Sequence, residues 1–230
     1  YHGLYKSIDG GDSWNLQSDT SNILGRDTDG SSTGGQSWYD MTLAVSTTNE
    51  NHVIVGGINL WESTDGGVSW NISGASGDGS NYSYMHVDHH AAEFNPINNI
   101  AYVGNDGGIY KYFNLLNSWI DISDGLEISQ FYKIGLSKNN DYTLVVGAQD
   151  NGTERLTGTT WDAIRGSDGM ECIIDEYDDN IIYSTSQYGG LKVTYNGGVD
   201  WNNAKPVSYD GSWVTPYKMH PLDNNVIVAG

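Results

Sequence analysis

The chain has 230 residues, with 29 Asp plus Glu against 10 Lys plus Arg, a formal net charge of −19. Such a surface repels phosphate backbones and anionic headgroups, so neither nucleic acid nor a membrane is expected as a partner. No apolar run reaches membrane-spanning length, no signal peptide is visible, and the single Cys172 leaves no internal disulfide to form.

In chain order, the first recognisable unit is Gly3 to Trp14, whose Ser7, Asp9, Gly11 and Trp14 recur as Ser63, Asp65, Gly67 and Trp70 in Asn59 to Trp70. Both copies read apolar-aromatic-x-Ser-x-Asp-Gly-Gly-x-Ser-Trp. An alternating strand runs into glycines that permit a tight hairpin. The Asp and Ser side chains can hold the turn N–H groups, and the Trp opens the returning strand and packs across the turn. The expected role of these residues is structural. Degenerate copies follow at 189–201, with Asn196 in place of the Asp, at 107–119 and at 151–161. Trp14, Trp70, Trp119, Trp161 and Trp201 are about 56, 49, 42 and 40 positions apart, the spacing of four-stranded propeller blades.

Upstream of each copy lies a short β-branched run: 52–56, 99–104, 142–147 and 180–184. Before each run comes another candidate strand: 39–46, 91–95, 130–136 and 171–177. Each block therefore supplies four strands, and no stretch keeps a helical period. The expected fold is an all-β propeller of four-stranded blades, about five blades' worth, with residues 1–230 as one domain. The chain opens on a third strand and stops on a second. The missing initiator Met and the commonness of larger rings favour a fragment that begins and ends mid-blade over a closed ring of five. Further blades or domains of the same polypeptide are then partners. Cys172, within an apolar strand, reads as a buried inert thiol.

The motif Ser-x-Asp-Gly-Gly-x-Ser-Trp resembles the Asp-box, or BNR repeat, of sialidases, sortilin-type receptors and xyloglucan-cleaving hydrolases. A second series resembles the sortilin-like or "glycosyl hydrolase" BNR proteins that bacteria export through a type IX system. It comprises His86 to His90, Gly104 to Tyr110, Gln130 to Tyr132 and Gly147 to Thr153. The resemblance implies a propeller and an extracellular or cell-surface location.

In a blade, the loop entering the first strand and the loop between the second and third open on one side. That side gathers Trp38, Tyr39, Asp88, Gln149, Tyr188 and Trp213 as candidate ligand-binding residues, a set of rings and polar groups suited to sugars. The same composition also suits ordinary polar loops. Asp106 and Asp150 occupy matching loops of successive blades and are the candidate catalytic carboxylates, since glycoside hydrolysis needs a pair. In the xyloglucan-cleaving relatives a catalytic Asp is similarly placed before Gly-Gly, but their two acids sit on different propellers. A turn-stabilising role before glycine is the alternative for each.

His86, Asp88 and His90 would share one face of an extended strand and could hold zinc with a further ligand. Asp27-Thr28-Asp29-Gly30 hints at a calcium loop but lacks the remaining oxygens. Channel-facing histidines and a solvated loop are the readings adopted, so neither metal nor cofactor is expected. Sialidase chemistry needs three arginines around one carboxylate, and Arg26, Arg155 and Arg165 sit at unlike blade positions. The leading function is a glycan- or protein-binding module. The alternatives are part of a glycoside hydrolase using Asp106 and Asp150, or a structural unit.

Overall fold

The computed structural model describes residues 1–77, 79, 81–205 and 210–230. The chain forms two compact units, Tyr1–Leu126 and Glu127–Gly230. In the first unit, β1 (Leu4–Lys6) and β2 (Asn15–Ser18) form a hairpin. A five-stranded sheet follows: β3 (Thr42–Val45), β4 (Val53–Gly56), β5 (Leu60–Ser63), β6 (Asn71–Ala75) and β7 (Ser83–Tyr84), in sequential order. The third sheet comprises β8 (His89–Phe94), β9 (Ala101–Asn105), β10 (Gly108–Phe113) and β11 (Ser118–Asp121).

The second unit has β12 (Phe131–Leu136), β13 (Thr143–Ala148), β14 (Gly152–Thr157) and β15 (Thr160–Arg165) in one sheet. Another holds β16 (Cys172–Ile174), β17 (Ile182–Ser186), β18 (Gly190–Thr194) and β19 (Asn202–Asn203). A final hairpin pairs β20 (Tyr217–His220) with β21 (Asp223–Ala229). Among the described residues every pairing is an antiparallel neighbour pairing except β6 with β7, which is parallel. Sequential four-stranded meanders are propeller blades, and the fold class is an all-β partial propeller. The parallel strand β7 adds a fifth member that the sequence pattern does not announce.

Middle strands are buried on both faces, because each sheet packs between neighbours. In β4, Val53 and Val55 join Ile23, Leu24 and Trp61 in one cluster. Ile54 points the other way, into a core with Leu60, Met85, Phe94, Val103 and Trp119. A strand sandwiched in this way reads as a continuous β-branched run rather than an alternation. In the second unit, Val145, Cys172, Ile174 and Ile182 form the equivalent core. Burial pushes the Cys172 thiol up to about 12, which makes it the inert group expected.

The two Ser-x-Asp-Gly-Gly turns are built alike. Ser7 Oγ donates to Asp9 Oδ1 at 2.7 Å and accepts from the Gly11 N–H at 2.8 Å, while Ser13 donates its N–H and hydroxyl to Asp9. Ser63, Asp65, Gly67 and Ser69 repeat those bonds almost distance for distance. These donors, the hydroxyl of the following Ser foremost, hold Asp9 far below the ordinary carboxylate range and Asp65 at about 2. Gly67 has φ +90°, and a Cβ there would come 2.1 Å from Leu4 of the preceding sheet, so glycine is required twice over.

The degenerate third turn keeps the wiring with other atoms. Thr194 takes the Ser role and Asn196 Oδ1 accepts the Asp200 N–H at 2.9 Å. Because Asn196 has an amide N–H₂ where the Asp has an oxygen, Asp200 replaces the hydroxyl and accepts from it at 3.0 Å.

All five tryptophans open fourth strands, as their spacing predicts. Three of them make the expected contact across the turn: the Trp14 and Trp201 indoles donate to Gly11 O and Gly198 O, and the Trp70 ring lies 3.5 Å from where a Gly67 Cβ would stand. Only Trp14 bonds solely within its own turn, to Gly11 O at 3.1 Å, and it stays exposed. Trp70 donates to Ser18 Oγ of β2 and Trp119 to Ser73 Oγ of β6, both at 2.9 Å. Trp201 shares its N–H between Gly198 O and Ile164 O of β15. These indoles latch a blade to the fourth strand of the blade before it.

Candidate functional site

Each unit gathers loop residues at the end of its strands opposite the turns that lead into the fourth strands. In the first unit, the turn 36–40 brings Gln36 and Asp40 to one side, because the N–H groups of Tyr39 and Asp40 both donate to Gln36 O. The Gln36 amide Nε2 then reaches Asp40 Oδ2 at 3.1 Å and Asp88 Oδ1 at 2.5 Å. Asp88 is clamped by its backbone. Its N–H donates to Ile58 O, and its own carbonyl accepts from the Asp106 N–H.

Asp88 holds this position in the left-handed region, at φ 66°. Asp tolerates that conformation better than most residues. The consequence corrects the expected His86-Asp88-His90 strand face: β8 starts only at His89, and the three side chains do not converge. His86 turns its Nδ1 to Val87 O at 3.1 Å, while His90 Nε2 meets Asp106 Oδ1 at 2.7 Å. His89 is fully buried, with Nδ1 2.9 Å from Gly57 O, and desolvation lowers it to about 4. It is a neutral structural histidine.

Asp106 is engaged at both oxygens, by His90 and by the Tyr39 hydroxyl at 2.7 Å. Tyr39 and His90 meet edge to face at 4.9 Å, and Trp38 packs beside Tyr39 at 5.9 Å with 86% of its surface exposed. Asp40 is fully buried. Burial raises the Asp40 carboxyl, and burial together with Asp40 and Asp106 raises Asp88 to about 7.

The second unit places Gln149 and Asp150 in the β13–β14 loop, with Asp150 also left-handed at φ 59°. Its buried carboxylate is Asp168, which accepts from Gln149 Nε2 at 3.1 Å, from the Asp150 N–H at 2.7 Å and from Gln187 Nε2. The Tyr132 hydroxyl donates to Gln149 Oε1, and Trp213 Nε1 donates to Tyr132 at 3.3 Å. Tyr188 lies edge to face on Trp213, with ring centroids 5.3 Å apart and planes at 86°. The two rings are 55% and 41% exposed. Their mutual placement is fixed by backbone too, since the Tyr188 N–H donates to Trp213 O.

Within each unit, then, the candidate residues do assemble: Trp38, Tyr39, Asp88 and Asp106 in one, Gln149, Asp150, Tyr188 and Trp213 in the other. The catalytic candidates Asp106 and Asp150 belong to different units. Gln36, Asp40, His90, Tyr132, Asp168 and Gln187 organise these clusters; the sequence pattern puts all but Gln36 on this side without making any of them a binding or catalytic candidate, and names His90 only as a possible zinc ligand. Their one available signal is position, since each lies in or beside a loop already assigned to this end.

No family model matches the chain, and no curated protein matches it. Solved structures similar to it include YCF48 bound to D1 peptide, at 11% identity and TM-score 0.33, covering 87% of this chain and 60% of that one. An ancestral GH74 enzyme gives 18% identity and TM-score 0.32, covering 74% and 24%. The extracellular domain of a putative hybrid two-component system from B. thetaiotaomicron gives 11% and 0.32, covering 76% and 24%. The chain thus spans 60% of the first of these and about a quarter of the other two. Among the described residues no helix is long and apolar enough to cross a membrane.

Proposed function

We propose that the chain is a binding module of a secreted or cell-surface protein, of the Asp-box type, which takes a glycan on its loop-end aromatics. The observation that carries this reading is the Tyr188–Trp213 pair, two partly exposed rings held at a fixed angle by a chain of hydrogen bonds. Rigid rings beside amides suit a neutral polyhydroxylated ligand, which stacks on the rings and exchanges hydroxyl hydrogen bonds with the rim. Trp38, the most exposed tryptophan of the first unit, offers a comparable surface beside Tyr39.

A glycan array followed by titration calorimetry on the best ligand tests it. Trp213→Ala or Tyr188→Ala should weaken binding about tenfold, the effect of removing one stacked ring. Unchanged affinity after both truncations would remove the aromatic pair from the function. The hydrolase alternative is separable. Asp106→Asn keeps shape but cannot transfer a proton, so turnover in the wild type lost in this variant would favour it, and full turnover in Asp106→Asn and Asp150→Asn would eliminate it. A protein ligand is the outcome if no glycan binds and the same aromatic variants abolish capture of a peptide partner.

A further inference from the structure

We propose that the first unit holds a hard divalent cation, of the calcium class, between the carboxylates of Asp40 and Asp88, with Asp106 beside them. Asp40 is buried to 0% exposure, and its Oδ1 has no hydrogen-bond partner. Its other oxygen shares a single donor, Gln36 Nε2, with Asp88 Oδ1. Gln36 Nε2 thereby bridges the two carboxyl groups, 3.1 Å from Asp40 Oδ2 and 2.5 Å from Asp88 Oδ1, and an oxygen of Asp106 comes within 4.8 Å of one of Asp88. One neutral amide therefore serves two acid groups, Asp40 fully buried and Asp88 partly so.

A buried carboxyl that keeps its charge must be paired, hydrogen-bonded or metal-bound; otherwise it takes up a proton. A buried acceptor left over in an otherwise well-bonded fold points to a species that completes it. The donor set is oxygen throughout: two carboxylates, a third nearby and the adjacent Gln36 amide, which can present its oxygen after a flip. Hard cations prefer such donors, and calcium accepts irregular geometry with waters filling the remaining positions. The route in is the half-exposed side of Asp88. Its backbone is already fixed by Ile58 and Asp106, so binding would order little new structure. The proposal is independent of the glycan reading, since no aromatic platform is used.

The test uses the whole chain, freed of metal with chelator and then titrated with calcium by calorimetry and by thermal melting. A dissociation constant between about 1 μM and 1 mM is expected, with a melting temperature that rises with calcium concentration because only the folded state binds. Asp88→Asn should weaken binding at least tenfold, and Asp40→Asn likewise if it folds. Asp65→Ala, a turn control, should bind as the wild type does. Absence of heat and of any melting shift at about 10 mM calcium or magnesium would overturn the proposal and leave a proton shared between the two carboxyls. A shift that survives Asp88→Asn would also overturn it, placing the ion elsewhere, as at Asp27 and Asp29.

Discussion

Asp65 and Asp88 are the same side chain put to opposite uses within one unit. Asp65 is solvent-exposed, yet four turn donors from Ser63, Val68 and Ser69 converge on it, and its carboxyl falls to about 2. Asp88 is half-buried, faces two other carboxyls and rises to about 7. Burial first, and the neighbouring carboxyls of Asp40 and Asp106 after it, load Asp88, whereas exposed Asp65 is held charged by its turn donors. Asp168 shows the third possibility: it is buried and surrounded by three neutral donors. A turn residue has its ligands built in by local sequence. A loop-end acid depends on what the neighbouring loops bring.

The largest effect should come from Asp168. Asp168→Ala strips the acceptor from two amide groups and one backbone N–H, and should cost about 2–4 kcal/mol in denaturant unfolding. It should also loosen the Tyr132–Gln149 support under Trp213. A loss below about 0.5 kcal/mol would mean that these donors find other partners and that the cluster is not structural.

Asp88→Asn should move the other way. In metal-free buffer at pH 8 it removes like-charge repulsion from Asp40 and Asp106. A stabilisation of about 1 kcal/mol is expected once solvent screening of a half-buried group is allowed for. Asn also tolerates the left-handed backbone there. Destabilisation in the same buffer would show that Asp88 is satisfied as it stands.

The turn side of the comparison has a pH signature. Asp65 titrates lower in the folded state, at about 2, than in the unfolded chain, at about 4. Its contribution is therefore fully present above pH 4 and lost as pH falls through 2. Thermal melts of wild type and Asp65→Ala should differ at pH 6 and converge near pH 2. Parallel curves down to pH 2 would deny the turn carboxylate its role.

The finest test exchanges one turn's chemistry for another's. Asp65→Asn alone loses the acceptor for Ser69 Oγ, whereas Asp65→Asn with Ser69→Asp recreates the Asn196–Asp200 arrangement. The double variant should recover most of the melting temperature that the single variant loses. Additive losses would mean that the third turn is held by its surroundings instead.

The blades were legible because their signals are local. β4, β9, β13 and β17 appear as β-branched runs, and the Trp phase marks every fourth strand. Turn chemistry is equally local, so Ser63, Asp65 and Gly67 could be assigned from spacing alone. The loop-end clusters were not. Gln36 meets Asp88 across a gap of 52 positions, and Asp88 turns left-handed because the 57–59 loop and Asp106 hold its backbone. Period-two reasoning placed His86, Asp88 and His90 on one face only by assuming extended backbone through that point. The indole contacts between blades were missed for a related reason: strand pattern gives the position of Trp70 or Trp119 but not which neighbour lies over it.

Those indole latches bear on how such a chain can change length over generations. Trp70 reaches Ser18, Trp119 reaches Ser73 and Trp201 reaches Ile164, in each case from one fourth strand back to the previous one. In these three joints donor and acceptor lie on or beside fourth strands, and the second sheet carries both halves: Trp70 is the tongue for the blade before it and Ser73 the groove for the blade after it. Tandem duplication of that blade therefore supplies both halves of the new joint at once. Contacts that link only nearest neighbours let an array gain or lose a member without redesigning the rest.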